Sequence, residues 1–275
     1  DTAERLADYA LCLYDALPGV AYWVTQNEPM VSAFLGHGWG NHAPGRRDWR
    51  EVFLAAHHIL LSHGLAVRAF RQAGGRGKIG LSLNLSPCHP ASDSPRDRAA
   101  ARRKDALEQR FFLDAVLRGA YPEDALAALA PLTLPPFSKA DLDIIAAPLD
   151  FLGVNYYTRQ VVADDPDAFL PRTLRPAGPV TEMGWEIYPE GLYEILTTIA
   201  REYPKIPLMV TENGAAYPDA VAKDGTVHDP DRVHYLRAHL AQAHRAIADG
   251  VDLRGYFVWS LLDNFEWSYG YTKRF

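Results

Sequence analysis

The chain has 275 residues, of which 28 are Lys or Arg and 34 are Asp or Glu, for a formal net charge of -6. This balance gives no electrostatic basis for nucleic acid or an anionic membrane as a partner. Hydrophobic residues make up 48% and charged residues 23%, an ordinary soluble-globular usage at a length able to bury one large core.

Taken in chain order, the start Asp1-Thr2-Ala3-Glu4-Arg5 is not a signal peptide. Arg5 to Leu17 reads as a helix with Leu6, Tyr9, Ala10, Leu13 and Leu17 on one face. Pro18-Gly19 ends it, and Val20 to Thr25 is a short apolar strand. A loop rich in Gly, His and Pro, Gly36 to Arg47, precedes a long helix from Trp49 to Gln72. Gly74-Gly75 stops that helix, and Lys78 to Asn84 is a second strand. Pro95 to Leu117 reads as a helix whose mixed charges, Arg96 to Arg110 among them, form a solvated face. A proline-rich connection, Tyr121 to Lys139, leads to a third strand, Phe151 to Asn155. Thr158 to Glu182 reads as a long loop with room for a hairpin. Pro189 to Tyr203 is helical, Pro207 to Thr211 is a strand, Asp229 to Asp249 is a helix, and Leu253 to Ser260 is a fifth strand. No apolar run reaches the roughly 18 residues of a membrane span. Two cysteines, Cys12 and Cys88, argue against a disulfide framework and for a reducing, cytoplasmic setting.

Strands that lack polar alternation, separated by helices, imply a parallel sheet buried on both faces. A doubly wound sheet and a (β/α)8 barrel both fit. No glycine-rich phosphate fingerprint follows any strand, and polar residues cluster where strands end: Asn27-Glu28, Asn155, Glu212-Asn213 and Trp259-Ser260. The expected fold is therefore α/β, a (β/α)8 TIM barrel. Fourteen tyrosines and six tryptophans, several beside Gly, Asn and Glu, offer faces that stack on sugar rings. His57, His58 and His63 lie in an ordinary amphipathic helix, with no third ligand at metal-site spacing, so neither metal nor cofactor is expected.

Several segments together carry a likeness. Thr25-Gln26-Asn27-Glu28-Pro29, Val210-Thr211-Glu212-Asn213-Gly214, Leu152-Gly153-Val154-Asn155-Tyr156-Tyr157, Met183-Gly184-Trp185-Glu186-Ile187 and Trp259 to Trp267 resemble, in order and spacing, motifs of glycoside hydrolase family 1. That family comprises retaining β-glucosidases and β-galactosidases on a (β/α)8 barrel. The resemblance implies Glu28 as general acid/base and Glu212 as nucleophile. It implies that Asn155 lies near the acid/base, that Tyr157 hydrogen-bonds the nucleophile, and that Trp185 faces the leaving group. Trp259 would floor the sugar site, Glu266 would take the 4- and 6-hydroxyls, Trp267 would bond near the 3-hydroxyl, and Phe275 would close the outer edge. Glu266 would repel a 6-phosphate, so a neutral sugar is expected. Asn27 and Asn213 would offer amides to sugar hydroxyls.

Such carboxylates hydrolyse an acetal in two steps, one donating a proton while the other attacks the anomeric carbon. Retention calls for a carboxyl separation of about 5–5.5 Å. The expected substrate is a small β-glycoside carrying a terminal glucosyl residue. Galactoside or fucoside preference, and a catalytically silent carbohydrate-binding protein of the same fold, are the alternatives. The family's glutamine after strand one, arginine after strand two and histidine after strand three have no counterpart. The likeness is thus read as limited to the family's C-terminal two-thirds. The chain is expected to supply only strands four to eight, as one incomplete catalytic domain over residues 1–275 that folds poorly alone, with a separate fragment supplying strands one to three.

Overall fold

The computed structural model describes residues 2–275. In chain order the elements are α1 (Thr2–Ala16), β1 (Tyr22–Asn27), α2 (Pro29–Ala33), α3 (Trp49–Gln72), β2 (Lys78–Asn84), β3 (Cys88–Pro90), α4 (Pro95–Asp105), α5 (Phe111–Arg118), α6 (Glu123–Leu129), α7 (Lys139–Ile145), β4 (Phe151–Asn155), β5 (Gln160–Ala163), β6 (Arg172–Thr173), α8 (Glu190–Glu202), β7 (Leu208–Asn213), α9 (Pro230–Ala248) and β8 (Leu253–Val258). The expectation of five strands, numbered four to eight of a barrel, is corrected. The described residues carry eight strands, with helices in four of the seven connections between them, in the manner of the (β/α)8 type. Five lie in a sheet ordered β1-β2-β4-β7-β8 and three in a sheet ordered β3-β5-β6. The three extra strands escaped the sequence because they are short and not apolar runs. Two of them lie inside the stretch read as a loop, and only long-range pairing such as Cys88 with Gln160 defines them.

The chain divides into two compact units. The first holds Asp1–Asn84, Arg102–Gly153 and Tyr203–Pro207. Here β1 and β2 run parallel, with Tyr22 opposite Lys78 and Asn27 opposite Ser82. Residues Ile79 to Leu83 of β2 are all buried, as expected for a strand covered on both faces. Asp150 fixes the approach to β4: its backbone N–H donates to Ile79 O at 2.9 Å and its carboxylate accepts from Ile79 N at 2.8 Å. Val67, Phe70, Ile79 and Ala147 form a core against which Tyr14, Trp23 and Leu149 pack. The face expected of α1 is only partly used, since Ala10 is buried whereas Tyr9 and Leu17 are exposed.

Helix α3 starts at Asp48, whose carboxylate caps Arg50 N at 2.8 Å. By length and composition it could cross a bilayer, but 61% of its apolar window is buried inside this protein; it is a core helix. At Gly64 a Cβ would come within 2.1 Å of Ile144 O, so the backbones of α3 and α7 meet where no side chain fits. The helix expected from Pro95 to Leu117 is interrupted by a π-helical turn, Ala106–Arg110. That turn helps to bury Lys104 and Glu108 as a 2.6 Å ion pair, so the charged face is not wholly solvated.

The second unit holds Leu85–Ala101, Val154–Glu202 and Leu208–Phe275. Strands β7 and β8 are parallel, with Val210 opposite Tyr256 and Asn213 opposite Val258. Beside them, β3 pairs parallel with β5 and β5 antiparallel with β6. A small core of Ala100, Ala101 and Val162 lies under Cys88.

Candidate active site

Strand β7 buries Leu208, Met209 and Val210, then partly exposes Thr211 and Glu212 near its C-terminal end before Asn213 is buried again. The chain leaving β4 runs alongside, and Tyr156 N donates to Glu212 O at 3.0 Å. One residue on, Tyr157 Oη donates to Glu212 Oε2 at 2.6 Å. A bond of that length to a carboxylate favours its ionised form. Asn155 is buried, and its Oδ1 accepts from Thr211 Oγ1 at 2.6 Å, which leaves its amide N–H groups in a defined direction. The Tyr156 hydroxyl donates to Tyr188 O, so the residue before Tyr157 is pinned as well.

Two rings, those of Trp185 and Phe275, converge on Tyr157. Its centroid lies 5.1 Å from that of Trp185 and 6.1 Å from that of Phe275, and the latter two are 6.2 Å apart. Phe275 is buried against this pair. Glu266 belongs to the same electrostatic neighbourhood: burial raises its carboxyl above the usual range, and the charge of Glu212 adds to the rise. Trp259 is held by its backbone N–H, which donates to Asn213 O at 3.0 Å. A Cβ on Gly214 would fall 1.7 Å from Trp259 O, so glycine is what allows the two chains to approach. Trp267 opens a short 3-10 turn at φ 44° and is 68% exposed.

Asn213 overturns one expectation. It is fully buried, with Nδ2 donating to Tyr156 O at 2.7 Å and to Tyr235 Oη at 3.2 Å, and Oδ1 accepting from Tyr256. Both ends of the amide are used inside the protein, so Asn213 offers nothing to a sugar hydroxyl and instead anchors the backbone that carries Glu212.

In the other unit, β1 delivers Asn27, which is exposed, and Glu28, which is half-buried. Glu28 N donates to Ser82 O at 2.9 Å. Its backbone is left-handed, φ 51° and ψ 61°, immediately before Pro29 opens α2. A non-glycine residue there carries strain of order 1–3 kcal/mol, which the surrounding bonds must hold. Two side chains fasten the strand to α3: Thr25 Oγ1 lies 2.5 Å from His63 Nδ1, and Gln26 Nε2 donates to Ser62 Oγ at 3.0 Å. His63 is fully buried, and burial lowers its pKa to about 3.

His57 contacts Tyr121 Oη at 2.9 Å and Asp141 at 3.3 Å, a structural network. Among the described residues no group of three His, Cys, Asp or Glu could hold a metal ion. Sequence reasoning missed the ion pair that joins Arg159 to Glu186, with Arg159 Nε donating to Oε2 at 2.8 Å and Nη2 to Oε1 at 3.0 Å. The only signal was position: Arg159 stands two residues past Tyr157, and Glu186 one residue past Trp185.

The model of the family described as Glycosyl hydrolase family 1 matches residues 1–275. This corrects the extent inferred from sequence, a C-terminal two-thirds: the match takes in the whole of this chain. The chain is 42% identical to Beta-glucosidase A of Acetivibrio thermocellus over 283 residues, covering 100% of itself and 63% of that protein. The crystal structure of the AHE enzyme from Alicyclobacillus herbarius superposes with a TM-score of 0.96 at 48% identity, over 100% of this chain and 62% of that one. The family 1 β-glucosidase from Thermotoga maritima superposes with a TM-score of 0.95 at 44% identity, again over 100% of this chain and 62% of the other. The chain thus spans less than two-thirds of the length of these relatives.

Proposed function

Since the chain belongs to glycosyl hydrolase family 1, we propose that it serves the retaining hydrolysis of terminal β-D-glucosyl residues from small neutral β-glucosides. Glu212 is the nucleophile. It attacks the anomeric carbon and forms a covalent glycosyl-enzyme as the aglycone leaves. Glu28 donates a proton to the departing oxygen, then removes one from the water that releases the sugar with its configuration retained. The observation that carries this reading is the 2.6 Å bond from Tyr157 to Glu212, which keeps that carboxylate charged and oriented for attack.

Trp185 borders the leaving group, Trp259 underlies the sugar, and Phe275 closes around it. Glu266 takes the outer hydroxyls, with Trp267 beside it, while Asn27 and Asn155 bind near the reacting carbon. The neighbouring negative charge of Glu212 at Glu266 supports a neutral sugar over a phosphorylated one. The two free thiols, Cys12 and Cys88, support a reducing cytoplasm as the setting.

Hydrolysis of an aryl β-glucoside by the wild type, Glu212→Ala and Glu28→Ala tests the assignment. Loss of at least about a thousandfold in Glu212→Ala is expected, with azide yielding the inverted α-glycosyl azide in Glu212→Ala and the retained β-glycosyl azide in Glu28→Ala. Unchanged turnover in Glu212→Ala overturns the reading. Rates on the matching galactoside and fucoside rank the sugar preference.

A further inference from the structure

The bond from Tyr157 to Glu212 is only as good as the segment that holds Tyr157, and that segment leaves β4 without regular secondary structure until β5 begins at Gln160. Three successive residues there have separate duties. Tyr157 reaches Glu212; Thr158 Oγ1 donates to Glu186 O at 3.0 Å; Arg159 grips the Glu186 carboxylate with two bonds. Glu186 in turn follows Trp185, whose ring stands 5.1 Å from that of Tyr157. The two segments that carry Tyr157 and Trp185 are thus joined backbone to side chain by Thr158 and side chain to side chain by the Arg159 fork.

The fork is itself held from behind. Arg159 Nη1 approaches His89 Nδ1 at 3.2 Å, and His89 Nε2 lies 2.8 Å from Glu194 Oε2. Tyr188 donates to the other oxygen of Glu194 at 3.0 Å, and the guanidinium lies 4.0 Å over the Tyr188 ring. Elements β3 and α8 therefore both brace it. Glu186 is buried, and hydrogen bonding from Arg159 keeps its carboxyl below the ordinary range. A planar, bidentate contact of this kind fixes orientation as well as charge, which a lysine could not do.

We propose that Arg159 and Glu186 are a positioning pair for the reaction, holding the Tyr157 hydroxyl on the nucleophile and the Trp185 ring at the leaving-group wall in one fixed relation. Neither residue touches the reacting atoms. The proposal deepens the glycosidase reading and rests on it for its meaning, but its central consequence can be measured without turnover. Loosening the fork lets Tyr157 drift from Glu212, so Glu212 holds its proton to higher pH.

Simple charge effects and positioning predict different signs. Removing the positive charge of Arg159 raises the Glu212 midpoint by either route. Removing the negative charge of Glu186 lowers it through space, yet raises it if the fork is what holds Tyr157. The titratable groups beside the fork include His89, Glu194 and Tyr188, and those beside Glu212 include Tyr157, Glu266 and, in the proposed reaction, Glu28; none of these is altered in either variant.

The test is a carbon-13 NMR titration of glutamate-labelled protein, with the Glu212 carboxyl assigned by Glu212→Gln. Arg159→Gln and Glu186→Gln are each expected to raise the midpoint by about half a unit or more, with Arg159→Lys falling between them and the wild type. In a Tyr157→Phe background only the through-space part is expected to remain, a smaller rise in Arg159→Gln and no rise in Glu186→Gln, because the bond they serve is already gone. The acid limb of kcat/KM against pH should move with the midpoint, and KM for bulky aglycones should rise. A lowered or unchanged midpoint in Glu186→Gln, or equal shifts with and without the Tyr157 hydroxyl, would overturn the proposal. Variants that show these shifts, with a wild type that hydrolyses no β-glycoside, would overturn the glycosidase reading and leave the positioning pair standing. Where Arg159→Gln does not fold, Glu186→Gln alone decides, because only its sign separates the two routes.

Discussion

Acidification should weaken the first unit through one residue, His63. Its imidazole is fully buried, with Nδ1 on Thr25 and no partner for Nε2. Burial lowers its pKa from 6.5 to about 3, whereas in the unfolded chain it keeps the ordinary value. Above pH 6.5 both states are neutral and the contribution to stability is whole. Below it the unfolded chain binds a proton that the folded one refuses, so stability falls by up to about 1.4 kcal/mol per pH unit. The loss amounts to about 2 kcal/mol between pH 6.5 and 5, and would reach about 4 kcal/mol if the fold survived to pH 3. His63→Leu removes the titrating group, while Thr25 keeps Gly80 O as an acceptor at 3.2 Å. Urea unfolding at half-unit steps from pH 7 to 4.5 should show the variant losing less stability than the wild type, by close to one proton's slope. Parallel pH dependences for the two proteins would refute the reasoning, because the burial of an unprotonated ring would then have no energetic consequence.

Other outcomes follow from the same geometry. Tyr157→Phe removes a hydrogen bond to a charged group worth about 1.5–3 kcal/mol, so kcat/KM on an aryl β-glucoside should fall about ten- to hundredfold. A change below about twofold would show that Tyr157 does not support the nucleophile. Gly214→Ala places a Cβ 1.7 Å from Trp259 O, and the backbone must move to admit it. A loss of about 3 kcal/mol or so in urea unfolding is expected, and stability within about 0.5 kcal/mol of wild type would contradict the close approach.

What could be read from sequence depended on how local the signal was. Strands β2 and β4 begin and end where their apolar runs do, because a strand buried on both faces writes itself as a continuous stretch. Strand β1 starts and ends two residues later than its apolar run, at Tyr22–Asn27, since pairing with β2 resumes at Asn27, opposite Ser82, after a shift in register. Helix α3 was legible from Trp49 to Gln72, but its buried polar residues were not. That His63 meets Thr25 follows only from how α3 lies along β1. The motif glutamates were legible as types at strand ends. Asn213 stands next to Glu212 in the motif, but adjacency in sequence does not place two side chains on one face. On a strand successive side chains alternate, and Asn213 points into the protein. The Arg159 fork joins segments 27 residues apart, and no periodicity encodes such a pair.

The most direct test of the account is to trap the intermediate. A 2-deoxy-2-fluoro-β-glucosyl fluoride reacts at the nucleophile and stalls, because fluorine at C2 slows both steps while the fluoride leaving group at C1 speeds only the first. Mass spectrometry of the digested protein should find one fluoroglucosyl group, on the peptide that contains Glu212. A label on any other residue, or no label from a preparation that hydrolyses β-glucosides, would contradict the assignment.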